Sequence, residues 1–289
     1  MKKIYSYPGT KKILPENDSA ITLTLILGLQ GCELMLHSAE NGEILRLEKY
    51  QFLGLHSQAK LMQTVADLLM TDEFFPVLKF ENGAYLTAFP IKKINMIWGD
   101  TPFSFIPDSY SNPDFAKDIL KIHSWVGPSE KINNYHFSDF SFNVFYTYPE
   151  MADNFISTSN TELRHAHLII PQFLLSVKEI SIQGAVAFLF QKSGWMTLIL
   201  FLNGSLIFAN HCFISTSADV LHFFQKTIAF FNVSVEELAV NYYAELFSEE
   251  NFPDELRKLG IKTIRICTDS QSKNGELGNF PELGMLVHF

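Results

Sequence analysis

The sequence predicts a mixed α/β protein built as two similar halves, each opening on three strands followed by a helix. Three observations carry that expectation. Short β-rich apolar runs punctuated by Gly or Asn-Gly occur around Leu25 and again around Leu198. Each set leads into a segment with apolar residues at helical spacing. The turn glycines of the two sets keep a common offset to within one residue: Gly194 follows Gly31 by 163 positions (194 − 31), and Gly204 follows Gly42 by 162 (204 − 42).

In the first half, ITLTLILG is an apolar run closed by Gln30-Gly31, and CELMLHS alternates apolar with polar. Ala39-Glu40-Asn41-Gly42 supplies a turn, and EILRLEKYQF follows with Ile44, Leu45 and Leu47 as its apolar residues. That is the signature of a hairpin meander. SQAKLMQTVADLLMTDEF then places Leu61, Met62, Val65, Leu68 and Leu69 at helical spacing, with Ser57 as N-cap. FPVLKF, AYLTAFPIKKINMIW and FSFIP are further strand segments, 112–123 a helix, and YHFSDFSFNVFYTY a strand pair broken at Ser-Asp.

In the second half, HLIIPQFLLSVKEI is expected to be helical, with Pro171 near its first turn. GAVAFLFQ, WMTLILFL and SLIFANHCF are three strands joined at Lys192-Ser193-Gly194 and Asn203-Gly204. A helix follows with Val220, Phe224, Ile228 and Phe231 on one face and Ser215 or Ser217 as its cap. Ser234-Val235-Glu236-Glu237 matches a capping box and predicts a short turn of helix. LAVNYY is a strand, AELFSEENFPDELRKLG a helix interrupted at Pro253, IKTIRIC a last strand, and DSQSKNGELGN a loop or tail. The implied organisation is an N-terminal segment 1–19, a first half 20–160, a second half 161–267 and a C-terminal tail 268–289.

Composition narrows the function classes. With 47% hydrophobic and 18% charged residues the chain is not disordered, and 27 Phe predict an aromatic core. A net charge of -9 and scattered short Lys pairs argue against nucleic acid as a partner. Cys32, Cys212 and Cys267 are far apart, form no CxxC, and read as small buried hydrophobes. No secretory signal follows MKKIYSYPGTKK, and the most apolar region, 184–213, is broken into segments of about eight residues, against roughly 20 for a membrane span. The expected setting is the cytoplasm.

Three stretches carry a family resemblance: TPFSFIPDSY, a strand running into Pro before a helix; ELRHAHLIIPQFL, a His-containing helix entry; and NGSLIFANHCFISTSADVLHFFQKTIAFFNVSVEEL, a hairpin, long helix and turn. Through them the chain resembles, from about Ala20 to Ile266, an uncharacterised bacterial family with the actin-like ATPase (ribonuclease H-like) fold. The resemblance implies two duplicated halves of βββ-α-β-α type, and a nucleotide held by the turn between the first two meander strands of each half. That chemistry needs backbone N–H groups to cradle phosphates and carboxylates to place Mg²⁺. Family ATPases put an Asp before each turn glycine and Ser or Thr after it.

Here the first turn reads Leu27-Gly28-Leu29-Gln30-Gly31-Cys32, and the second Phe190-Gln191-Lys192-Ser193-Gly194-Trp195. Neither has the Asp, and Asn241-Tyr242-Tyr243 stands where an adenine site needs Gly-Gly. Gly28, Gly31, Ser193 and Gly194 are therefore read as vestigial loop positions, with no catalytic or metal residue and no cofactor assigned. His165-Ala166-His167 has metal-like spacing on a strand but no third ligand, and His211-Cys212 face opposite ways on theirs. The expected function is non-catalytic, through a protein partner or a homo-oligomer. The rival is a divergent phosphotransferase or ATPase using Mg-ATP; a membrane-peripheral scaffold would need an anchor from elsewhere.

Overall fold

The computed structural model describes residues 1–7, 21–40, 42–71, 76–87, 91–156, 161–180, 183–192, 195–214, 216–244 and 252–267. The chain divides into two compact units, one running to Ile170 and one beginning at Pro171.

The first unit contains, in order, β1 (Lys2–Tyr7), β2 (Ile21–Gly28), β3 (Gly31–Ser38), β4 (Ile44–Gln51), α1 (Gln58–Thr71), β5 (Leu78–Glu81), β6 (Ala84–Thr87) and β7 (Ile91–Trp98). It continues with β8 (Phe103–Pro107), α2 (Pro113–His123), β9 (Glu130–Phe137), β10 (Phe142–Pro149) and β11 (Glu162–His167). Its main sheet has the order β1-β4-β3-β2-β7-β11. β2, β3 and β4 form the antiparallel meander, and β7 and β11 return parallel on its other side. β2 lies at the centre, which is why ITLTLILG is buried along nearly its whole length and does not alternate. α1 turns Leu61, Met62, Val65, Leu68 and Leu69 into the core, and Ser57 Oγ caps it by accepting the Lys60 N–H at 3.3 Å. A separate three-stranded sheet, β8-β10-β9, packs α2 through Ala116 and Leu120. Asn112 caps α2 by accepting the Asp114 N–H at 3.0 Å.

β1 was not legible as a strand, because KKIYSY is short and half polar. It holds to the sheet through charge: Lys3 and Ser6 both donate to the buried carboxylate of Glu48, which Arg46 also binds at 2.6 Å.

The division between the units falls within α3 (Ile169–Val177), where Pro171 occupies the third position. The further elements of the second unit are β12 (Ala185–Lys192), β13 (Trp195–Leu202), β14 (Ser205–Phe213), α4 (Ser217–Phe230), β15 (Leu238–Ala244), α5 (Phe252–Lys258) and β16 (Thr263–Ile266). The sheet order is β14-β13-β12-β15-β16, with two antiparallel and then two parallel neighbours. This is the order and sense of β4-β3-β2-β7-β11. Asn203 and Gly204 both have positive φ (52° and 78°), the requirement of a tight two-residue hairpin turn matched to strand twist.

Two local expectations are corrected. The cap of α4 is Thr216, in a reciprocal capping box with Asp219, and Ser217 is the first helical residue; Ser215 lies outside the described residues. At Ser234 the chain makes a single turn, not a helix: Ser234 accepts from Glu236 and Glu237, and Leu238 already begins β15. The expected helix around Pro253 is described only from Phe252, and DSQSKNGELGN lies outside the described residues.

Candidate functional site

The first phosphate-type turn is the two-residue connection Leu29-Gln30 between β2 and β3, closed by the pair Gly28 and Gly31. One amide and one carbonyl of this turn are committed to the protein. Leu29 N–H donates to Asp100 Oδ2 at 2.6 Å. The Gln30 carbonyl accepts the Phe52 N–H at 2.8 Å, and the Leu27 carbonyl accepts the Gly99 N–H at 2.9 Å.

The two glycines have different reasons. A Cβ on Gly31 would overlap the carbonyl oxygen of Tyr50, so this residue is Gly because β4 crosses it. A Cβ on Gly28 would meet Asp100 Oδ2 at 3.6 Å, an ordinary contact.

Asp100 is the residue that sequence reasoning missed. It follows the carboxyl end of β7, which runs parallel to β2, so topology carries it beside a turn 71 positions earlier. The available signal was Trp-Gly-Asp-Thr at the end of an apolar strand. Burial pushes its carboxyl pKa up, against hydrogen bonds from Leu29, from its own amide and from Gln58. Asp100 Oδ1, Gln58 Oε1 and Thr101 Oγ1 are buried without a hydrogen-bond partner among the described residues. A carboxylate on the turn amide, with further acceptor oxygens beside it, suits a proton, a hydrogen-bond donor or water. It holds the Leu29 N–H that a phosphate oxygen of Mg-ATP would need at this turn.

Ser193 and Gly194 of the second turn lie outside the described residues. Their flanks, Lys192 and Trp195, pair with each other, and Trp195 is buried with its ring 6.2 Å from that of His211. Asn241, Tyr242 and Tyr243 lie on β15; Tyr243 stacks on Phe190 at 4.6 Å and Tyr242 packs on Phe252. Aromatic rings fill the second unit's sheet surface there.

The histidines are separately occupied. His165 stacks on Tyr148 at 4.1 Å, accepts from Trp98 Nε1 at Nδ1 (3.3 Å), and presents Nε2 to Asp153 Oδ1 at 3.1 Å. His167 accepts the Ile169 N–H at Nδ1 and donates from Nε2 to the Thr101 carbonyl at 2.9 Å. Burial lowers the pKa of His211 to about 4 and raises that of Cys212 to about 11, which keeps both neutral at pH 7.

The aromatic segment YHFSDFSFNVFYTY is largely packed: Phe137, Phe145 and Tyr146 are buried, and Phe105, Phe137 and Phe142 form a ring cluster. The exposed apolar residues of this layer are on and around α2. Tyr110, Phe115, Ile122 and Trp125 are 72%, 58%, 75% and 78% exposed. Phe115 and Ile122 are two turns apart, flanking the buried Ala116 and Leu120 on the same broad apolar face, so that face of α2 extends beyond what the sheet covers.

The comparison that decides kinship is a sequence profile matching residues 10–260. The chain belongs to the DUF3822 family. That family is described as Protein of unknown function (DUF3822). No curated protein matches the chain. Among solved structures, this DUF3822 member is similar to a Bacteroides thetaiotaomicron protein with actin-like ATPase fold and unknown function. The TM-score is 0.71 at 11% identity, covering 94% of this chain and 96% of the other. It is also similar to a chain of a PilM–PilN type IV pilus biogenesis complex, with TM-score 0.55, 9% identity and coverage of 93% and 98%. The fold is therefore the actin-like ATPase fold. Among the described residues no helix is long and apolar enough to cross a membrane.

Proposed function

We propose that this DUF3822 protein is a non-catalytic, cytoplasmic member of the actin-like fold that works by binding another protein. One observation carries the reading: Asp100 holds the Leu29 N–H at the turn where a nucleotide phosphate would have to sit. The exposed stripe of Phe115 and Ile122 with Tyr110 and Trp125 supports the binding half, since aromatic residues exposed together mark interaction surfaces. The pilus-complex neighbour supports it by analogy of fold alone. The three free cysteines accord with a reducing compartment. The shared strand order of the two units supports descent from one duplicated half.

Thermal unfolding with and without millimolar Mg-ATP tests the catalytic half. A ligand that binds only the native state raises the melting temperature by mass action, so a flat response is expected and a concentration-dependent rise would overturn the reading. The triple substitution Phe115→Ser, Ile122→Ser and Trp125→Ser tests the binding half. It is expected to leave the melting temperature unchanged and to abolish recovery of a reproducible crosslinked partner; undiminished recovery would remove α2 from the interface.

A further inference from the structure

The carboxyl end of β7 is tied to two neighbours at once. The Trp98 carbonyl accepts the Leu168 N–H just past the end of β11, at 2.9 Å, and Gly99 donates to the Leu27 carbonyl of β2 at 2.9 Å. The Trp98 ring is buried in the core of the first unit, which Ala152 and Phe155 also enter. Its one polar group, the indole N–H, donates to His165 Nδ1 at 3.3 Å.

That bond fixes the proton on His165. An indole N–H can only donate, so Nδ1 is the bare acceptor and the ring proton sits on Nε2. Nε2 lies 3.1 Å from Asp153 Oδ1, yet the two are not aligned as a hydrogen bond. Trp98 and Asp153 therefore require different orientations of one ring. The charged and titratable groups around that ring come from three other elements. Asp153, in the 3-10 turn Glu150–Asn154, also holds Lys131 of β9 and the Tyr148 hydroxyl of β10. Glu150 lies 4.0 Å from the same Lys131. The Tyr148 ring lies nearly parallel to the imidazole at 4.1 Å, and the Tyr146 hydroxyl donates to the His165 carbonyl.

We propose that His165 is a proton-operated latch on the end of β7: a second ring proton, taken up from solvent at Nδ1, breaks the Trp98 bond and turns the ring onto Asp153. Once Nδ1 carries a proton, two N–H donors face each other and the bond cannot persist. In exchange the imidazolium gains an aligned, charge-assisted bond to Asp153 and places its charge against the Tyr148 face. Burial opposes that charge, Asp153 favours it and Lys131 opposes it, so the second proton arrives below the ordinary value of 6.5. The Trp98 N–H then has no acceptor inside the core, and an orphaned buried donor is costly. The end of β7 opens more readily, and with it the backbone bonds at Gly99 and Leu168. Asp100, which braces the Leu29 turn, stands two residues further on.

Heteronuclear NMR of the full chain tests the latch. Near neutral pH, His165 is expected as the neutral tautomer with its proton on Nε2. On acidification the Trp98 indole resonance and the His165 ring nitrogens are expected to titrate together, below 6.5 and with the chain still folded. Amide exchange at Gly99 and Leu168, corrected for its intrinsic pH dependence, should rise about tenfold across that step relative to β3. Two changes at the rim of the cluster should move the midpoint in opposite directions. Lys131→Met removes a nearby cation and raises it, whereas Asp153→Asn removes the carboxylate and lowers it. His165→Phe keeps a ring against Tyr148 and should abolish the Trp98 titration. A proton on Nδ1 at neutral pH, or a Trp98 resonance unmoved until the chain unfolds, would overturn the proposal. So would a midpoint indifferent to both rim variants, or exchange at Gly99 and Leu168 that follows global unfolding alone.

Discussion

Asp100 Oδ2 accepts the backbone N–H of Leu29 at 2.6 Å, joining the end of β7 to the turn between β2 and β3. The contact ties together two parallel neighbouring strands at their carboxyl ends, the place where open α/β sheets most often bind ligands. In this protein the chain supplies its own anion to that place, and the turn is braced rather than open.

Replacing Asp100 by Asn tests the cost of that brace. Asn retains an acceptor for Leu29 and removes a carboxyl whose pKa burial has raised. A raised carboxyl pKa means the folded state holds the proton more firmly than the unfolded one. Its contribution is full below the unfolded value and is lost as pH rises through the folded one. Asp100→Asn is therefore expected to gain stability relative to wild type at pH 8, and to gain less at pH 4. Urea unfolding at both pH values reads this, and a large loss at pH 8 would mean the ionised carboxylate is required.

The turn glycines are expected to separate sharply. Gly31→Ala drives a Cβ into the Tyr50 carbonyl, a backbone atom that cannot move without shifting β4. The expected loss is about 2 kcal/mol or more. Gly28→Ala meets only ordinary contact with Asp100 and should stay within about 1 kcal/mol of wild type. Equal sensitivity at both sites, measured by chemical denaturation, would contradict the geometry.

Acid should destabilise the second unit through His211. Burial lowers its pKa to about 4, so between the ordinary value of 6.5 and about 4 the unfolded chain binds a proton that the folded chain refuses. Stability present above pH 6.5 is lost as pH falls through that window, by about 3 kcal/mol. His211→Phe is expected to flatten the curve. His165, also lowered by burial, adds a loss of the same sign that this variant leaves in place.

The corrected cap gives a local test. Thr216→Ala removes the acceptor for the Asp219 N–H and breaks the capping box. It should cost about 1 kcal/mol, readable as a drop in melting temperature. A Thr216→Ala protein as stable as wild type would shift the cap elsewhere.

Periodicity, turn residues and apolar runs were enough to read the two meanders, the helices α1, α2 and α4, β7, and the closing strands β15 and β16 of the second sheet. Each of these is stabilised by contacts that follow from local pattern: Leu61 and Leu68 face one way on any helix, and Asn203-Gly204 favours the same turn in any hairpin. Where local signals were near-degenerate the reading slipped, as between Ser215, Thr216 and Ser217, where only the reciprocal bond with Asp219 distinguishes the cap. β1 was invisible because its stability comes from Glu48, more than forty positions away, and not from its own sequence.

What the sequence by itself determined is the pair of βββα halves and the absence of an Asp before either turn glycine. Only the tertiary structure decided that Gly31 answers to the Tyr50 carbonyl and that a carboxylate reaches the first turn from the end of another strand. The physical reason is that a parallel crossover brings together strand ends with no fixed separation in sequence. A charge placed by that crossover has no periodic signature, although it occupies the Leu29 N–H of the turn.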